Sequence, residues 1–275
     1  MNPNNHGFPR WLYLPAGIAL LLVVLPIVGL MVRVPWTRLA EILTRDESRD
    51  ALLLSLRTCL VSLVLVLILG TPLALLISRT QGFWAYVWRT FAVLPMVLPP
   101  VVAGLALLVT LGRRGVVGQY LSWAGIEIGF TTIAVVLGQT FVAMPYYVVS
   151  LESALRTFDS GYERIAATLG ASPTYVLRHV TLPLLSPAIV GGATMAFARA
   201  LGEFGATLTF AGSLQGVTRT LPQAIYLLRE DDSDLALALS VVLVLLAATM
   251  MGLSAIFTTR RTKQLTTQPE SGDDQ

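Results

Sequence analysis

Residues 162–185 read YERIAATLGASPTYVLRHVTLPLL, a polar and heavily punctuated stretch set between two strongly apolar ones. Ser160 stands three residues before Glu163, the spacing of a capping box, in which hydroxyl and carboxylate satisfy free N–H groups at a helix start. Tyr162, Ile165, Ala166 and Leu169 then fall on one helical face. Gly170 suits the left-handed residue that closes a helix. Ser172 followed by Pro173 restarts one, with a capping side chain and a proline at the first helical position. That second helix runs to Leu182-Pro183, where the next apolar block begins. The pattern predicts a short, stiff helix facing water, with Ala166 and Ala167 small enough for another surface to approach closely. Two readings of it stand: a peg for a partner protein, or a helix lying on lipid headgroups.

The flanking blocks decide the solvent. Of 275 residues 55% are hydrophobic and 13% charged, where soluble domains carry about 25% charged residues. A helix needs about 20 apolar residues to cross the hydrocarbon layer. Residues 11–32, 58–78, 91–111, 131–151 and 235–257 meet this without a charge, and 183–210 meets it with Arg199 and Glu203 inside. The expected fold is therefore all-α and membrane-integral, one domain of six transmembrane helices. Ten-residue alternation, the mark of a β-barrel, is absent. The first block is too long for a cleavable signal sequence. Cys59 lies inside a span and reads as packing.

Several chemistries have no residues to carry them. The single lysine, Lys263, follows no glycine-rich turn, so there is no phosphate-binding loop. His6 and His179 stand alone, which leaves no zinc cluster, and no nucleophile motif or paired carboxylates occupy a span. The basic residues are dispersed at helix ends, which argues against nucleic acid. Whatever work the chain performs is driven from elsewhere.

Other features bear on a pathway. Pro95, Pro99 and Pro100 interrupt the third span, and a bend at Pro99-Pro100 reads either as packing or as a kink beside a conduit. Arg199 and Glu203 are the charges deep in the fifth span and share a face at i,i+4 spacing; they read as a structural ion pair or as contacts for a passing anion. Gly191, Gly192, Gly202 and Gly205 permit close helix approach. The 211–234 loop contains TLPQAIYLLRE, with an apolar face that lies on the interface or docks a soluble partner. Lys and Arg divide almost equally between the two sides, so the positive-inside rule does not orient the chain.

At these residues the chain resembles the permease subunits of ABC importers. Their cytoplasmic loop reads Glu-Ala-Ala, three residues, Gly, nine residues, Ile, any residue, Leu-Pro. Here Gly170 is followed by nine residues and then Val180, Thr181, Leu182, Pro183. In strict register Arg164 and Ile165 occupy the Glu and first Ala positions, only Ala166 matches, and Glu163 stands one residue early. The stretch AFARALGEFGATLTFAGSLQGVTRTLP (196–222) resembles the fifth span and following loop of molybdate permeases, whose core sulfate permeases share.

The resemblance implies a type I importer permease fold that spans a bacterial cytoplasmic membrane, with both termini cytoplasmic. It divides the chain into a cytoplasmic tail (1–10), a permease domain (11–259) and a polar cytoplasmic tail (260–275), with the 159–181 loop as the coupling element. Implied partners are a second copy of the chain, cytoplasmic ATPase subunits, a periplasmic or lipid-anchored oxyanion-binding protein, and membrane lipid. No cofactor is expected on this chain, since ATP and magnesium would sit on the ATPase. Implied coupling residues are Ser160, Glu163, Ala166, Ala167, Gly170, Leu182 and Pro183; implied pathway residues are Arg199, Glu203, Pro99 and Pro100. Sulfate, thiosulfate or tungstate remain alternatives to molybdate, and an ATP-independent secondary transporter or channel is the alternative of another class.

Overall fold

A computed structural model describes residues 9–266. All regular structure among them is helical, because in lipid each backbone N–H and C=O must find its partner within its own segment. A 3-10 turn leads into α1 (Tyr13–Arg33). The first loop carries α2 (Leu39–Thr44) and passes into α3 (Asp46–Arg79), which begins well before the apolar block at 58. α4 (Phe83–Val97) and α5 (Pro100–Leu111) follow, then α6 (Gly118–Trp123) in the glycine-rich loop and α7 (Thr132–Thr157). The 159–185 module holds α8 (Gly161–Thr168), α9 (Pro173–Val176), a π-turn over Leu177–Thr181 and α10 (Leu182–Leu184). α11 (Ser186–Leu201), α12 (Gly205–Ala211), α13 (Leu221–Asp231) and α14 (Ser233–Thr266) complete the chain. The helix thus enters the segment expected as a polar tail from 260. Residues 1–8 and 267–275 of the two expected tails lie outside the described residues.

Among the described residues four helices are long and apolar enough to cross a membrane, and up to six spans result if each of two bent pairs counts as one. The bend expected at Pro99-Pro100 is present in the third span, whereas the fifth, expected to run on from 183 to 210, is broken. The chain bends by 114° between α4 and α5. Leu98 and Pro99 each precede a proline, which drives both to extended backbone (ψ 133° and 136°), and Pro100 restarts the helix at its first position. The run through Leu184 bends by 71° into α11, where Pro183 and Pro187 each remove a helix-forming N–H. α11 then stops at Leu201, and α12 is a separate helix beyond the Gly202-Glu203-Phe204 break.

The centre of the bundle is α3, α7 and α11. Tyr147 on α7 is fully buried between glycines of the other two helices: a Cβ on Gly70 would lie 2.7 Å from its ring, and one on Gly192 would lie 3.2 Å from it. Its hydroxyl bonds Thr71 at 2.7 Å. α5 and α12 approach as closely, since a Cβ on Gly104 would stand 2.6 Å from the Ala206 carbonyl oxygen and one on Gly205 2.7 Å from Pro100 Cβ. Of the glycines expected to allow such contact, Gly192 and Gly205 do so, whereas Gly191 has open space and Gly202 meets only its own helix. A backbone oxygen cannot rotate aside as a side chain can. Gly104→Ala is therefore expected to destabilise the protein by roughly 1–3 kcal/mol, read as a lower melting temperature of the detergent-solubilised chain; Gly191→Ala serves as the neutral control.

The opposite end of the bundle from the 159–185 module is closed by α13. Leu221 and Ala224 pack with Ile42, Ala51, Leu235 and Leu239, so the apolar face of the 211–234 loop lies on α2, α3 and α14 rather than on lipid or a partner. The Leu221 N–H donates to Ser55 Oγ at 2.6 Å. Arg45 binds Asp232 at 3.0 Å and Arg38 lies 3.5 Å from Asp234, tying the first loop to the start of α14. The Asp232 carboxyl is held below its ordinary pKa, first by the Leu235 N–H and then, against desolvation, by Arg45. A depressed folded value contributes stability above the ordinary carboxylate range and loses it as pH falls through that lowered value. The end-cap is expected to persist at neutral pH and to loosen only in strong acid, and Arg45→Gln should move that loosening to higher pH in thermal unfolding.

Candidate functional site

One carboxylate ties α8 of the 159–185 module both to the end of α3 and to the π-turn. Glu163 Oε1 accepts from Arg79, the last residue of α3, at 2.9 Å, and from the Thr181 hydroxyl in the π-turn at 2.6 Å. The expected capping box at Ser160 does not form. Ser160 takes helical backbone angles (φ −66°, ψ −5°) rather than the extended ones of a capping residue, and its oxygen accepts from Arg164. Asp159 serves the free helix start instead, accepting from the Gly161 N–H at 2.8 Å. The second start is as expected: Ser172 accepts from the Tyr175 N–H, with Pro173 at the first helical position. Gly170 is left-handed at φ +85°.

The π-turn arises next to Pro183. A proline ring crowds the carbonyl four residues back and offers it no N–H, and here the Leu182 N–H reaches five residues back to Leu177. One extra residue per turn is accommodated without breaking the helix. Stacking of Tyr175 on His179 at 4.2 Å lies along the same turn, consistent with His179 as a helix-surface residue.

The outer face of α8 has no cover. Tyr162 is 55%, Ile165 62% and Leu169 82% exposed. Beside them Ala166, Gly170, Ala171 and Tyr175 line a shallow hollow of about 530 Å³. A larger cleft of about 680 Å³ runs between α8 and the end of α3, with Arg79 and Glu163 in its wall. The helix thus carries a bare apolar strip while it is tied at Glu163 to the end of α3. A Cβ on Gly170 would meet open space, so only the left-handed backbone there resists a larger residue. Gly170→Val is expected to cost roughly 1–2 kcal/mol and Gly170→Asn much less, measured as thermal stability.

The second constellation lies where the two broken helices cross. Gly205 packs on Pro100, so the Pro99-Pro100 bend sits against the start of α12, two residues beyond Glu203. Glu203 is 1% exposed and has both oxygens engaged: Oε2 with Arg199 at 2.7 Å, Oε1 with the Ala206 N–H at 2.7 Å. It thereby satisfies a donor at the start of α12 as well as neutralising Arg199, which stays 24% exposed. Phe204, in the same break, meets Tyr226 of α13 at 5.0 Å, and Arg229 lies over that Tyr226 ring. All four residues expected on a pathway thus share one neighbourhood. Arg79, Thr181 and Asp159 were not expected at the first site, nor Phe204 and Tyr226 here; Asp159 acts through a local contact two residues on, and the others through contacts that no local pattern records.

Comparison with known proteins bears on both sites. The model of the family described as binding-protein-dependent transport system inner membrane component matches residues 67–263. The chain is 55% identical, over 87% of its length and 91% of the relative's, to the molybdenum transport system permease protein ModB of Mycobacterium tuberculosis. The protein of the same name from Escherichia coli is 38% identical over 76% of this chain and 91% of its own. Among solved structures, a chain of a bacterial alginate ABC transporter in complex with a periplasmic protein superposes with a TM-score of 0.71 at 18% identity, covering 92% of this chain and 94% of that one. A chain of the inward-facing MetNI methionine ABC transporter does so with a TM-score of 0.59 at 18% identity, covering 77% and 94%. At that identity the likeness is one of fold.

Proposed function

The chain belongs to the family of binding-protein-dependent transport system inner membrane components, and from that premise we propose that it is the membrane subunit through which an ATP-driven importer passes molybdate. It is a permease and not an enzyme. The observation that carries the substrate is the 55% identity to a molybdenum transport permease across nearly the whole of both chains. The uncovered strip of Tyr162, Ile165 and Leu169 on an anchored helix supports a partner-driven mechanism.

In this reading the strip docks on a cytoplasmic ATPase subunit, which binds ATP and magnesium, and the side bearing the 159–181 loop faces the cytoplasm with both termini. ATP draws the docked helices of two copies together. Glu163 passes the displacement to α3 through Arg79 and to the fifth span through Thr181. The crossing of Pro99-Pro100 with the α11–α12 break is where the bundle opens, outward with ATP and inward after hydrolysis. Nucleotide state and cavity orientation are then coupled equilibria, each shifting the other. An extracytoplasmic binding protein delivers the anion to the α13 side, and selection among tetrahedral dianions rests chiefly with that protein.

The test is uptake of molybdate into vesicles holding this chain with its ATPase and binding protein. Uptake that needs ATP and stops with vanadate is expected, with tungstate competing and sulfate competing weakly. Uptake without ATP would make the chain a secondary transporter or channel, and preferential sulfate uptake would reassign the substrate.

A further inference from the structure

Glu152 on α7 is 1% exposed and serves two arginines: Arg156 one turn on, at 2.8 Å, and Arg89 of α4, at 3.5 Å. Both guanidinium groups are about half exposed, and Glu152 is the sole carboxylate paired with either among the described residues. The other acids at this end are engaged elsewhere, Glu163 with Arg79 and Thr181, Asp159 with the Gly161 N–H. The cluster therefore carries one uncompensated positive charge.

It opens on a groove of about 360 Å³ along α4. Arg89 lies at one end with the hydroxyl-bearing Tyr86 and Thr90, and Val93, Leu94 and Val97 line the rest. Arg89 stands six residues into α4, roughly 9 Å along its axis, just past Trp84 and Trp88, whose rings lie 6.4 Å apart. Paired tryptophans at that height mark the membrane–water boundary. A cationic, hydroxyl-bearing head at the boundary continues into an apolar trough pointing toward the membrane centre.

We propose that this groove is a binding site for one anionic phospholipid, in the leaflet on the side of the 159–181 loop. The phosphate lies against Arg89 and Arg156, and an acyl chain lies along Val93, Leu94 and Val97. Charge complementarity selects an anionic head. The apolar trough selects a lipid over a small oxyanion, which would have nothing to gain from three aliphatic side chains. The site rests on the chain's membrane location and not on its substrate.

Native mass spectrometry of the full-length chain, delipidated in detergent and offered phosphatidylglycerol or phosphatidylcholine, tests this. Retention of one phosphatidylglycerol per chain, in preference to phosphatidylcholine, is expected. Arg89→Gln leaves the Glu152–Arg156 pair intact and should weaken retention about fivefold, the effect of one basic charge near a membrane surface; Arg89→Lys should restore most of it. Val93→Trp fills the trough without touching the charges and should also release the lipid. Equal retention of both lipids, or an Arg89→Gln variant that binds as the native chain does, would overturn the site. So would displacement of the lipid by micromolar molybdate, which would make the cluster part of the anion's route, or loss of the lipid on dimerisation, which would make the groove an interface between copies.

Discussion

Glu203→Ala is expected to remove most of the folded protein from the membrane. The substitution leaves the Arg199 guanidinium without its partner inside a span and strips the Ala206 N–H of its acceptor in the same stroke. Breaking a buried pair by deleting one member costs roughly 3–5 kcal/mol, a large share of the roughly 5–15 kcal/mol that holds a domain together. The readout is the yield of monodisperse protein after mild detergent extraction. The double variant Arg199→Met, Glu203→Gln separates structure from transport. Gln keeps an acceptor for Ala206 and Met fills the space of the arginine stem, so yield should return close to that of the native chain. Molybdate uptake by that double variant should return with it if the pair serves only to hold the break between α11 and α12. A variant that folds but does not transport would show instead that Arg199, through its remaining exposure, handles the anion.

How much of this is legible in the sequence follows from the range over which each force acts. The apolar blocks report a solvent, and hydrocarbon leaves the backbone no choice but helix; the all-α fold and the number of apolar segments follow from that. The left-handed Gly170 and the Ser172-Pro173 start depend on angles within a few residues and are readable in the same way. The Ser160–Glu163 spacing misleads because two capping residues compete. Asp159 reaches the Gly161 N–H, Ser160 is drawn into the helix, and Glu163 is freed to bind Arg79, 84 positions away. The bends at Leu98-Pro99 and Leu185 show the opposite limit. Prolines mark where a span can break, but the angle is set by what fills it, such as Pro100 pressed on Gly205. Arg199 and Glu203 announce themselves as charges in lipid; that Glu203 also holds the start of α12 depends on a helix break that spacing alone hides.

Glu163→Ala should leave the transporter assembled and largely uncouple it. The strip of Tyr162, Ile165 and Leu169 that would dock on the ATPase is exposed and loses nothing. What disappears is the tie from α8 to Arg79 at the end of α3 and to Thr181 at the head of the fifth span. A stroke delivered to α8 then bends the loop instead of moving the bundle. Coupling between two sites amounts to roughly 1–3 kcal/mol, so molybdate uptake per mole of ATP hydrolysed is expected to fall roughly tenfold, with co-purification of the ATPase unchanged. Glu163→Gln keeps an acceptor for both donors and should lose less. Thr181→Val removes only the bond to the π-turn and should fall between the native chain and Glu163→Ala, because Arg79 still holds Glu163. Uptake that drops only in proportion to the amount of assembled complex would place Glu163 in folding rather than in transmission, and the displacement would then have to reach α3 by another route, such as across the cleft lined by Leu75, Val176 and Leu177.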